Sequence, residues 1–145
     1  MRVYLTIILL FLSSLCHADG QAAIHVTATA DDSIGKQLVY QLREALRASR
    51  GMRLVDDMND SFVRIKIVTL DPDSGRGGGY QTVYSAVWTV RQFDRDSEIY
   101  WTNYVGTCGA SRTQSCATSL ASQTDEVATD VRRILNEIIK SSDKK

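Results

Sequence analysis

The sequence predicts one α+β domain, a mostly antiparallel sheet of about five strands with two helices packed on one face. Three observations carry this reading. Five short runs rich in β-formers alternate or concentrate apolar residues, two longer segments repeat apolar residues at helical spacing, and no repeat or low-complexity linker divides the chain. The elements follow in the order strand, helix, strand, strand, strand, strand, helix.

The first strand is AAIHVTATA, Ala22 to Ala30, with Ile24, Val26 and Ala28 on one side. A helix follows, capped by Asp32 or Ser33, carrying Ile34, Leu38, Leu42, Ala45 and Leu46 on one stripe and stopped at Gly51. Met52 to Asp57 reads as a short strand before a turn. Phe62 to Leu70 is the next, with Val63, Ile65 and Ile67 set against Arg64 and Lys66 as expected of a half-buried strand. The glycine-rich loop DPDSGRGGG, Asp71 to Gly79, leads to a long strand from Tyr80 to Phe93, and the turn DRDS to its return, Glu98 to Cys108. These last three strands form an antiparallel meander. From Thr113 to Lys140, the residues Ala117, Leu120, Ala121, Val127, Val131, Ile134, Leu135 and Ile138 recur at the spacing of one long amphipathic helix.

Ahead of the domain, MRVYLTIILLFLSSLCHADG has the layout of a secretory leader. Arg2 precedes an apolar run from Val3 to Leu15, and small residues stand where a signal peptidase cleaves, after Ala18. The run is too short for a membrane span, which needs roughly 20 apolar residues. Cys16 raises the alternative of lipid attachment, but the bulky Leu15 before it departs from that pattern. Removing residues 1–18 from the 145 leaves 127, enough for one core. The remaining chain holds 16 basic and 17 acidic residues, a net charge of −1, which supplies no footprint for nucleic acid or anionic lipid.

The exported chain then keeps two cysteines, Cys108 and Cys116. In an oxidising compartment such a pair reads as a disulfide, here one that fastens the last strand to the last helix. A zinc site needs about four ligands, and the one histidine left is His25 on the first strand. Redox pairs are usually two residues apart, whereas seven residues separate these.

The run SIGKQLVYQLREALRASRGMRLVDD, Ser33 to Asp57, a helix ending in glycine and passing into a short strand that ends in acids, resembles the opening unit of small bacterial envelope domains. The TolB amino-terminal domain, the CsgG family and the activators of penicillin-binding proteins share that layout. The resemblance implies an accessory or assembly role in the envelope and carries no functional residue onto this chain.

No catalytic or cofactor motif appears. The Asp71–Gly79 loop lacks the Gly-Lys-Ser/Thr of a phosphate cradle, and Arg76 stands where a calcium loop of the EF-hand type needs glycine. Asp94, Asp96 and Glu98 read as a solvated hairpin tip rather than a metal site, and His25 has no visible partner for serine catalysis. The expectation is therefore no enzyme, cofactor or metal. The aromatic residues point instead to a protein partner: Tyr80, Tyr84 and Trp88 share one face of their strand, and Tyr100 and Tyr104 one face of the next, opposite Trp101. Together with Arg76 in the flexible loop, these form the candidate contact surface on the side of the sheet away from the helices. The reading is an exported, periplasmic binding or accessory protein of the envelope, with a homodimer open. The alternatives are an inhibitor or immunity-type protein that plugs a target enzyme and, less favoured, a small hydrolase.

Overall fold

Strand β1 (Ala22–Ala30) runs through the interior of the sheet because its first half is apolar on both sides, so it accepts a neighbour on each edge. Helix α1 (Ser33–Ala48) starts where Asp32 caps it, the carboxylate accepting from the Gly35 N–H at 2.6 Å. It ends earlier than Gly51 implies, with Ser49 as its cap donating a backbone N–H to Leu46, and Gly51 does not adopt a left-handed turn. Then come β2 (Met52–Leu54), a 3-10 turn at Met58–Asp60, β3 (Val63–Leu70), β4 (Gln81–Arg91), β5 (Glu98–Gly109), a second 3-10 turn at Ala110–Arg112, and helix α2 (Thr113–Ser142). This computed structural model describes residues 20–74, 79–92 and 97–142. The leader 1–18 with Cys16, and Arg76, Asp94 and Asp96, lie outside the described residues.

The sheet order is β2-β1-β3-β4-β5, and it is mixed rather than mostly antiparallel. β1 pairs in parallel with both β2 and β3, while β3, β4 and β5 form the expected antiparallel meander. The cause is the shortness of β2. Helix α1 returns the chain to the start of β1, so β2 must run parallel to it. β2 then stops at Leu54 opposite Ile24, and β3 begins at Val63 opposite the same Ile24. The connection therefore never travels to the far end of the sheet. It passes under β1, where the Val55 N–H donates to Ile24 at 2.9 Å and the Phe62 N–H to Ala23 at 2.8 Å.

Both helices cover one face. Leu38, Leu42 and Leu46 of α1 and Ala117, Leu120, Ala121, Val127, Ala128 and Val131 of α2 join Ile24, Val26, Val63, Ile65, Ile67, Ala86, Trp88 and Val90 in one core. Cys108 and Cys116 form a disulfide, with Cα atoms 6.3 Å apart, that ties β5 to the first turns of α2.

Candidate functional site

The register decides which side chains the helices leave uncovered. Paired residues of neighbouring strands project to the same side, so Leu70, Val83 and Thr107 form one row across β3, β4 and β5, Val68, Ser85 and Val105 the next, Lys66, Val87 and Asn103 a third, and Arg64, Thr89 and Tyr100 a fourth. All lie opposite the core. The first two rows make an apolar patch in which Leu70 is 64%, Val105 61% and Val68 55% exposed.

In the fourth row Arg64 and Thr89 are buried polar groups. Arg64 is buried and donates through Nη1 to Glu98 Oε1 at 2.7 Å, through Nη2 to the Met58 carbonyl at 2.9 Å and through Nε to Ser61 Oγ at 3.1 Å. Glu98 Oε2 takes Lys66 Nζ at 2.6 Å and the Thr89 hydroxyl at 2.9 Å. Burial raises the Glu98 carboxyl, but the hydrogen bonds from Lys66, Arg64 and Thr89 outweigh it and hold the group at about 2. The uncovered face thus has an apolar end and an end of mutually neutralised charges.

The aromatic residues predicted to populate this face do not stay together. Tyr84 and Trp88 belong to the core: Trp88 is fully buried, donating its indole N–H to Thr124 Oγ1 at 3.0 Å, and Tyr84 is buried against Tyr104 with ring centres 6.0 Å apart. Burial, and then the neighbouring Tyr104, push the Tyr84 hydroxyl up. Tyr84 and Trp88 do sit on one side of β4, but on the helix side. Tyr100 and Tyr104 are separated by a bulge, for Thr89 faces Tyr100 and Trp88 faces Thr102, leaving Trp101 as the extra residue. An odd residue flips the parity of the strand, so Tyr100 projects from the uncovered face and Tyr104 from the helix side. Tyr80, just before β4, is 79% exposed. Gly106 makes room for the tyrosine pair, since a Cβ there would lie 2.8 Å from the Tyr84 hydroxyl and from a ring carbon of Tyr104.

Sequence reasoning missed the apolar patch. Its signal is present: after Ile67 the alternation of β3 fails, and Val68 and Leu70 are apolar on the wet parity. His25 is half-buried, its Nδ1 3.2 Å from the Val55 carbonyl. A second polar centre closes the core at the opposite end of β3, where Asp32 Oδ2 accepts from Thr69 at 2.7 Å and Thr82 at 3.0 Å. Burial works against this carboxylate, but the Gly35, Thr69 and Thr82 donors lower its pKa on balance. Among the described residues, no three His, Cys, Asp or Glu side chains converge as a metal site, and no helix is long and apolar enough to cross a membrane.

No family model matches the sequence, and no curated protein matches it significantly. Solved structures do resemble the fold. A Xanthomonas campestris protein of the family described as DUF330 superposes with a TM-score of 0.57 at 10% identity, covering 77% of this chain and 88% of its own. PelC from Paraburkholderia phytofirmans, solved as a dodecamer, gives a TM-score of 0.45 at 13% identity over 75% of this chain and 88% of its own. Neither is of the TolB, CsgG or penicillin-binding-protein activator type that the Ser33–Asp57 run resembles. The likeness to the Xanthomonas protein is one of fold.

Proposed function

We propose that this chain is an exported, periplasmic accessory protein of the bacterial envelope that acts by binding a protein partner rather than by catalysis. The observation that carries the reading is the apolar end of the uncovered sheet face, Val68, Leu70, Val83 and Val105, with Tyr100 exposed further along the same face. β-Branched and leucine side chains standing together in water on a rigid sheet gain free energy when a partner covers them, about 25 cal/mol for each Å² removed from water. The leader-like sequence of residues 1–18 and the Cys108–Cys116 bridge support export into an oxidising compartment. The fold shared with a bacterial protein is in keeping with this.

The test is site-specific photocrosslinking in cells, with the reactive residue placed at Leu70 and, as a control, at Thr118 on the exposed side of α2. A defined adduct with one envelope protein from Leu70 and none from Thr118, lost when Val83→Lys is added, is the expected result. Absence of any adduct at Leu70 overturns the reading.

A further inference from the structure

β5 is a long edge strand that from Thr102 to Gly109 lacks the devices by which edges are normally kept from pairing. It closes one side of the sheet over Glu98–Gly109, whereas β2 on the other side spans only Met52–Leu54. Alternate residues of an edge strand turn their backbone N–H and C=O groups outward, and among the described residues no strand takes those of β5. Natural edges are blunted by charged side chains, proline, shortness or bulges. No Asp, Glu, Lys, Arg or Pro occurs from residue 99 to residue 111. Glu98, the one charge in the strand, is engaged by Arg64 and Lys66 of β3. The bulge at Trp101 lies near the start, and from Thr102 to Gly109 the pairing with β4 is regular. Side chains do not screen this stretch either, since Asn103, Tyr104, Val105 and Thr107 are all exposed.

We propose that the outer edge of β5 pairs with β5 of a second copy of this chain, antiparallel across a two-fold axis, joining the two sheets into one. The chemistry of the edge asks for a strand, because its open groups are backbone donors and acceptors in ladder spacing. The choice of a second copy follows from charge. In a two-fold contact each strand faces itself, so a strand with charge repels its own image, and this one is uncharged throughout the regular stretch. Tyrosine, valine and threonine at Tyr104, Val105 and Thr107 are also residue types that pair well across strands. Val105 adjoins Val68 through Ser85 in the register, so pairing brings the apolar patches of the two copies toward one another. This inference goes beyond the partner-binding reading and holds without it.

The test uses the chain from residue 19 onward. Light scattering after size exclusion should give a dimer at high concentration, and amide exchange should slow by about tenfold or more on β5 alone as concentration rises. The N103K/V105K variant should be a folded monomer by circular dichroism, while Leu70→Lys, on the same face but away from the edge, should remain dimeric. A wild-type chain that stays monomeric with unprotected β5 amides overturns the proposal. So does a dimer that L70K breaks and N103K/V105K leaves intact, which would mark packing of the faces instead. If the double variant misfolds, the exchange pattern of the wild type decides alone.

Discussion

Replacing Glu98 by glutamine tests the polar end of the uncovered face most directly, because it keeps the shape of the side chain and removes its charge. In the native protein the carboxylate is 19% exposed and faces an Arg64 side chain that is 6% exposed, with Lys66 on its other oxygen. Its carboxyl is lowered from the usual 4.5 to about 2. At about 1.4 kcal/mol for each pH unit between those values, the complete linkage amounts to between about 3 and 4 kcal/mol. Water reaches one side of the carboxylate and Lys66 is half exposed, so screening reduces this to about 2 kcal/mol. A group whose carboxyl is depressed on folding contributes fully above its unfolded value and loses that contribution as pH falls through the folded one. The wild type should therefore exceed Glu98→Gln by about 2 kcal/mol at neutral pH. That advantage should shrink below pH 4.5 and largely disappear near pH 2. Urea unfolding followed by tryptophan emission, over that pH range for both proteins, measures the gap. A gap that is absent at neutral pH, or one that persists undiminished in acid, refutes the assignment of the stability to the carboxylate charge.

Three further outcomes follow from the geometry. Cys108→Ala with Cys116→Ala should lower the unfolding free energy by about 2.5 kcal/mol through the released loop, and an unchanged urea midpoint would remove the disulfide from the account of stability. Gly35→Ala should destabilise by about 2 kcal/mol or more, because the new Cβ would fall 2.0 Å from Thr69 Oγ1 and break the bond to Asp32; thermal melting as high as wild type would contradict the packing described. Thr69→Val should raise the Asp32 carboxyl back toward its ordinary value and cost about 1 kcal/mol, and carboxyl titration by NMR would show no change if Thr82 and Gly35 alone held the group.

Much of the fold is legible in local chemistry. Ile24 and Val26, the Leu38-Leu42-Leu46 stripe and the Ala117-to-Val131 stripe carry the periods of a strand and two helices, and each buries the side its period marks. What local chemistry cannot carry is which strands become neighbours and which parity faces out. The mixed sheet depends on a three-residue β2 that ends opposite Ile24, where β3 begins, and nothing within Met52–Asp57 says that pairing stops at Leu54. The aromatic reading failed for a related reason. Tyr84 and Trp88 do share a side of β4, but period-2 reasoning cannot say whether that side meets helices or water, and one extra residue at Trp101 reverses the parity of everything after it.

The element types and their order, the cysteine pair and the uncharged run from residue 99 to residue 111 were determined by the sequence alone, because propensity, side-chain period and charge act over a few neighbouring residues. The apolar patch at Val68, Leu70, Val83 and Val105, the Arg64–Glu98 pair and the open edge of β5 were decided only by the tertiary structure. They exist because strands distant in sequence are brought into register and because two helices cover one side of the sheet and leave the other to water.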